Sequence, residues 1–135
     1  MMNFPLTVTH LLERAARVTL FCGRGCAGAR PQLLALAETL KSPIVHALGG
    51  KEHVEPDNPF DVGMTGFIGF ASGYEAMQAC DLLLLLGTDF PYKQFLPTDR
   101  TIVQIDLRPE QLGRRCRLDL GLVATVNSDD PAYFG

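Results

Sequence analysis

The sequence predicts a doubly wound α/β fold, a parallel sheet with helices on both faces. Short apolar runs at Val18–Cys22, Ile44–Ala47, Leu82–Leu86 and Thr101–Ile105 are separated by stretches of helical spacing or by polar loops. The run Leu82 to Leu86 is leucine throughout, as a strand covered on both faces must be apolar at every position, and this places it centrally in a parallel sheet. Strands and helices alternate along the chain, which implies right-handed crossovers within a single sheet.

Each element has its own signature. Residues from Thr7 to Ala16 form a helix, with Val8, Leu11, Leu12 and Ala15 on one face. Val18–Cys22 is the first strand. Pro31 suits the first turn of a helix in which Leu33, Leu36, Ala37 and Leu40 keep helical spacing up to Lys41, and Ser42-Pro43 ends it. Ile44–Ala47 is a second buried strand. Residues 49–69 are rich in glycine, proline and charge, the composition of a long functional loop. A helix then runs from Phe70 to Cys80 with Phe70, Tyr74 and Met77 on one face. Gly87 to Pro97 is a second functional loop, Thr101–Ile105 a strand, Pro109–Leu112 a helical turn, and Leu118–Val126 carries short terminal strands.

The bulk properties exclude several classes. The chain has 135 residues, 47% hydrophobic and 20% charged, with a net charge of −3. That suits one globular domain and leaves no basic footprint for nucleic acid. No apolar run reaches the ~18 residues of a membrane span. Glu13, Arg14 and Arg17 interrupt any signal-peptide pattern. Cys22, Cys26, Cys80 and Cys116 form neither CxxC pairs nor a metal-ligand cluster, as expected of a cytoplasmic protein.

The chemistry concentrates at the ends of the strands. Gly23-Arg-Gly25-Cys-Ala-Gly28 is a G-x-G-x-x-G between a strand and a helix, the pattern that brings backbone and a helix N-terminus up to a phosphate. Cys26 within it reads as small-residue packing against a ligand, although a helix N-terminus can also activate a thiol. His46–Lys51, Gly87–Asp89 and Asp106 follow the other strands, so polar groups converge beyond the carboxyl edge of the sheet. An NAD site calls for an acid about 20 residues after the glycines. His46 stands there instead, and Asp106 is the better partner for a ribose. Lys51 has two open readings, a pair with Glu52 or solvent and a reach to a phosphate or flavin oxygen. No nucleophile–base arrangement is visible around His10, His46 or His53.

With these segments placed, the chain resembles the central domain of thiamine-diphosphate-dependent enzymes of the pyruvate oxidase and acetolactate synthase group. The resemblance is nearest to the bacterial pyruvate oxidases that use a quinone, the quinone-dependent pyruvate dehydrogenases. Gly23–Gly28, Pro43–Leu48 and Gly50–Glu55 carry it, followed by Asp57–Gly66, Leu85–Tyr92, Pro97–Asp99 and Ile105–Pro109. The match runs from about Pro5 to Val126.

This resemblance implies a three-layer α/β/α, Rossmann-like domain with a parallel sheet of about six strands, the middle one of three. In the oxidases that domain holds FAD. The residues so implied are Gly23, Gly25 and Cys26 near the pyrophosphate and ribityl chain, with Met64, Thr65 and Gly66 lining the flavin. Gly87, Thr88, Asp89 and Phe90 would lie near the ribityl and isoalloxazine, and Asp106 at the adenosine ribose.

Thiamine diphosphate, Mg²⁺ and the catalytic domains are expected only in a larger parent that oxidises pyruvate to acetate and CO₂. That parent is expected to be cytoplasmic or peripheral at the inner membrane face, and this chain an excised or truncated, inactive domain. Two departures stand out. Val123-Ala-Thr125 replaces an acidic residue often found near the adenine, and the tail Ser128–Gly135 lacks the usual helix. The alternative is a middle domain without cofactor, as in a non-flavin decarboxylase or an acetolactate-synthase-like enzyme. An NAD-binding domain of the deacylase type is disfavoured by the lack of a catalytic His with a zinc-binding cysteine module. Phe67, Phe70, Phe95 and Leu96 are candidates for self-association through exposed apolar loops.

Overall fold

The computed structural model describes residues 6–66, 69 and 71–124. Phe67, Phe70, Thr125 and the tail Ser128–Gly135 lie outside the described residues. Six strands form one wholly parallel sheet: β1 Val18–Cys22, β2 Ile44–His46, β3 Asp61–Met64, β4 Leu82–Leu86, β5 Thr101–Asp106 and β6 Leu120–Val123. Their order across the sheet is β3-β2-β1-β4-β5-β6, the doubly wound arrangement whose direction reverses between β1 and β4.

Helices α1 (Leu6–Arg14), α2 (Arg30–Leu40), α3 (Lys51–Val54) and α4 (Ala71–Ala79) complete the described regular structure, with short 3-10 turns between. None of them is long and apolar enough to cross a membrane.

The leucine run explains how the core is divided. Leu82, Leu84 and Leu86 belong to one apolar layer with Val8, Leu12, Leu33 and Leu36 from α1 and α2. Leu83 and Leu85 belong to the other, with Phe21, Val45 and Met77. Successive side chains of a strand point to opposite faces, so a strand bordered by helices on both sides shows no alternation in its sequence. β4 pairs with β1 from Val18↔Leu82 to Cys22↔Leu86 and with β5 from Leu82↔Thr101 to Leu86↔Ile105, and is therefore central.

Two segments differ from expectation. The loop 49–69 contains α3 and the edge strand β3. Among the described residues β3 pairs with β2 alone, with a register shift between Ile44 and Val45, and in its sequence Asp-Val-Gly-Met only Val62 and Met64 alternate as apolar. Four residues at a half-buried edge give too short an alternation to stand out from the glycine- and proline-rich residues around it. Tyr74, expected on one face of α4 with Met77, is 41% exposed, whereas Gly73 and Met77 are buried. Leu96 is buried in the second apolar layer and offers no surface for self-association.

Helix α2 ends where expected. Lys41 takes a left-handed conformation (φ 52°), and the Ser42 N–H donates to Ala37 O at 3.0 Å. Pro43 then prevents continuation.

Candidate functional site

A cleft of about 950 Å³ opens along the carboxyl edge of the sheet. It lies beyond the carboxyl ends of β1 and β4, where the winding of the sheet reverses, and its volume is near the upper end of ordinary ligand sites, ~300–1,000 Å³. The glycine loop forms its floor. A 3-10 turn, Arg24–Cys26, follows β1 directly, and α2 begins only at Arg30. The helix thus starts further from the glycines than the fingerprint suggests, and Pro31 in its first turn brings no N–H.

The glycines serve a seam between two loops. A Cβ on Gly25 would lie 2.6 Å from the Gly87 Cα, and one on Gly87 would lie 2.6 Å from the Gly25 Cα. Gly87 also has φ +58°. Backbone hydrogen bonds close the seam: the Gly23 N–H donates to Leu86 O at 3.0 Å, Gly25 N–H to Gly87 O at 2.9 Å, and Gly87 N–H to Ile105 O at 3.0 Å. Their first role is to let the β1 and β4 loops touch, and not only to admit a ligand.

All the expected site residues except Lys51 line this cleft. Cys26 is buried, and its thiol donates to Leu86 O at 3.3 Å, which makes it a packing group of the floor. Behind it, Cys22 is wholly buried. Burial, reinforced by the neighbouring Cys26, pushes the Cys22 thiol well above its usual range, so it stays protonated and inert.

Met64, Thr65 and Gly66 follow β3 and form one end wall. The Thr65 hydroxyl oxygen is buried with no hydrogen-bond partner among the described residues. A Cβ built on Gly66 would sit 3.5 Å from the Phe90 ring. Phe90 packs edge-on against Phe21 (5.0 Å between centroids) and Tyr92 (5.3 Å), so this end of the cleft is aromatic. At the opposite end, the Arg108 N–H donates to Asp106 Oδ1 at 3.0 Å. Its second carboxylate oxygen has no protein partner among the described residues.

Two expected site residues are committed elsewhere. Lys51 lies outside the cleft, in a side pocket of about 320 Å³, and its ammonium binds both Glu55 oxygens at 2.5 and 2.6 Å. It pairs with Glu55, one helical turn on, and not with Glu52. Asp89 borders the cleft, but its carboxylate receives Arg115 at 2.8 and 3.1 Å and Arg114 at 3.3 Å. The Arg115 guanidinium holds the Asp89 carboxyl below its usual range, against the smaller opposing effect of burial. Asp89 therefore anchors the segment after β5 and offers a ligand little beyond its backbone.

His46 is structural, as its place beside an apolar strand suggests. It is wholly buried, with Nδ1 at 2.7 Å from Asp61 Oδ1 and Nε2 at 3.1 Å from Glu55 Oε2. Among the described residues, these three form the one group of His and acidic side chains close enough to hold a metal ion. Lys51 already compensates Glu55, and we read the group as the tie that holds β3 and α3 to β2.

Sequence reasoning missed the cleft residues Arg24, Leu48, Tyr92 and Arg108. Their position in loops beyond strand ends was the available signal. It also missed Gln104, buried in β5, whose amide donates to Gln111 O at 3.2 Å and accepts from the Gly113 N–H at 3.0 Å.

A doubly wound parallel sheet with its cleft at the switch point defines a Rossmann-like α/β domain. The chain belongs to the thiamine pyrophosphate enzyme central-domain family, whose model matches residues 7–129. It is 65% identical over 121 residues to an uncharacterized 42.6 kDa protein from the isoamylase 3′ region of Pseudomonas amyloderamosa, covering 90% of this chain and 31% of that protein. It is 30% identical over 121 residues to a pyruvate oxidase of Lactiplantibacillus plantarum (87% of this chain, 20% of the relative). An acetolactate synthase large subunit of Parasynechococcus marenigrum is 31% identical over 124 residues (86% and 20%).

Among solved structures, a thiamin diphosphate-dependent enzyme from Mycobacterium smegmatis superposes with a TM-score of 0.69. At 23% identity, covering 84% of this chain and 24% of that one, it shows the shared fold. The chain spans about a third or less of the length of these curated relatives.

Proposed function

We propose that this chain binds FAD in the cleft, as the central domain of a thiamine-diphosphate-dependent pyruvate:quinone oxidoreductase. One observation carries the reading, the graded make-up of the cleft across the sheet edge. It begins at Asp106, a carboxylate with one oxygen unpaired among the described residues, crosses the glycine seam, and ends at an aromatic wall holding the Thr65 hydroxyl, likewise unpaired among them. From β5 to β3 this crosses four strand spacings of about 4.8 Å, roughly 19 Å, which suits an extended dinucleotide.

The residues present fit the group. Asp106 accepts hydrogen bonds from ribose hydroxyls. Gly23, Gly25, Gly87 and Thr88 present backbone and small side chains along the seam. Met64, Thr65, Gly66 and Phe90 flank the flat ring, with Thr65 as donor to a ring oxygen. A buried hydroxyl left unpaired costs about 1–3 kcal/mol, which such a contact would recover.

FAD, when bound, supplies a two-electron acceptor; this chain's residues bind it, orient it and shield it from water. The similarity to a pyruvate oxidase supports pyruvate as the substrate of the larger enzyme. In that enzyme, thiamine diphosphate and Mg²⁺ would be held by flanking catalytic domains, which with FAD are this domain's partners.

Titration with FAD, followed by quenching of flavin fluorescence, tests the reading. Saturation at or below tens of micromolar is expected, with about a tenfold loss of affinity in Asp106→Ala, the worth of one charge-assisted hydrogen bond. No binding would point instead to a central domain that only bridges its neighbours. Unchanged affinity in Asp106→Ala would remove that residue from the site.

A further inference from the structure

We propose that Arg24 is the anion-binding side chain of the cleft, taking the charge of a diphosphate-bearing ligand at a glycine loop whose backbone N–H groups are mostly engaged. The inference rests on the cofactor reading above for the ligand's place, and on the loop's hydrogen bonding for its chemistry.

Most backbone donors of the loop are already engaged. Besides Gly23 and Gly25, the Cys26 N–H donates to Gly23 O and the Ala27 N–H to Arg24 O, both at 3.1 Å. The start of α2 stands off from the glycines, at Arg30, and Pro31 removes one donor from its first turn. The few N–H groups left do not neutralise a diphosphate, which leaves a place for a side-chain cation.

Arg24 is placed to be that cation. It is exposed on the 3-10 turn after β1 and lines both the main cleft and the side pocket. Its guanidinium lies over Gly49; a Cβ there would be 3.5 Å from one of its terminal nitrogens and 3.6 Å from Nε. It has no hydrogen-bond or ion-pair partner among the described residues.

The neighbouring charges are accounted for. Lys51 is held by Glu55, and Glu52 lies 3.5 Å from His53. Arg114 and Arg115 bind Asp89. Arg108, the other cation lining the cleft, belongs to its far end, two residues beyond Asp106. A guanidinium presents paired donors in a fixed plane that match two phosphate oxygens. Arg24 thus acts on the ligand's charge and not on its ring.

Calorimetric titrations of the full chain with FAD, ADP and riboflavin test this, comparing the wild type with Arg24→Gln and Arg24→Lys. FAD and ADP are expected to lose about tenfold in affinity in Arg24→Gln and much of their salt dependence. Arg24→Lys should retain part of both, and riboflavin, which has no phosphate, should bind all three proteins alike. Thermal melts should coincide, because the side chain is exposed. If the wild type binds ADP through Arg24 but neither flavin, the FAD reading fails and the anion site stands. If Arg24→Gln binds FAD and ADP as the wild type does, with the same salt dependence, the inference is wrong. It is equally wrong if no ligand shows Arg24-dependent binding.

Discussion

Asp89 shows how one side chain's role depends on partners far away in sequence. In the chain it reads as a polar group at a strand end, beside a glycine, and so as a ligand contact. In the fold, Arg114 and Arg115 arrive from beyond β5 and take up its carboxylate. Nothing local to residues 87–90 announces that. Lys51 and Glu55 are a nearer case: their spacing of four pairs them only once residues 51–54 are helical, and the sequence reads that stretch as loop. The Asp89 pairing has a testable sign. Its carboxyl is held below its unfolded value by Arg115, so the stabilisation is present above the unfolded value of about 3.9 and is lost as pH falls through the lower folded value. Urea melts should show Asp89→Asn less stable than the wild type at pH 7, with the two curves converging in acid. Parallel curves from pH 7 to 3 would mean that the pair contributes nothing to folding.

At the scale of elements, the seam between the β1 and β4 loops is the feature on which the cleft depends. Gly87→Ala would force a left-handed backbone on a residue with a Cβ and press that Cβ to 2.6 Å from the Gly25 Cα. Strain of this kind costs of order 1–3 kcal/mol before any clash is counted. The urea midpoint should fall by at least that equivalent with an unchanged slope, and a variant as stable as the wild type would show that the loops can separate freely. The glycine spacing was legible in the sequence; its reason was not, because Gly87 is far from Gly25 along the chain. The same division holds for the strands. β1 and β4 are buried on both faces, so their apolar runs identify them directly. β3 is an edge strand held by β2, by the His46–Asp61 contact at 2.7 Å and by the Ser72 hydroxyl donating to Val62 O. Those partners come from other elements, so its own residues read as loop.

For the whole molecule, the sheet order sets where the domain is firm and where a ligand can act on it. β2, β1, β4 and β5 are paired on both sides, whereas β3 and β6 are edges. Local opening is easiest where backbone hydrogen bonds have one neighbour and few apolar contacts. The proposed ligand would touch both regimes, the firm seam at its middle and the loop after edge strand β3 at its ring end. Amide exchange of the free protein is therefore expected to be slowest in Leu82–Leu86 and fastest, among strands, in Asp61–Met64 and Leu120–Val123. FAD at a hundred times its Kd should add about 2.7 kcal/mol to global stability. It should also slow exchange at two separate places, around Thr65–Gly66 and around Asp106–Arg108, which only a ligand spanning the cleft can do at once. Slowing at Asp106–Arg108 alone would indicate that the nucleotide half binds while the flavin ring stays outside. Protection confined to Thr65–Gly66 would detach Asp106 from the ribose.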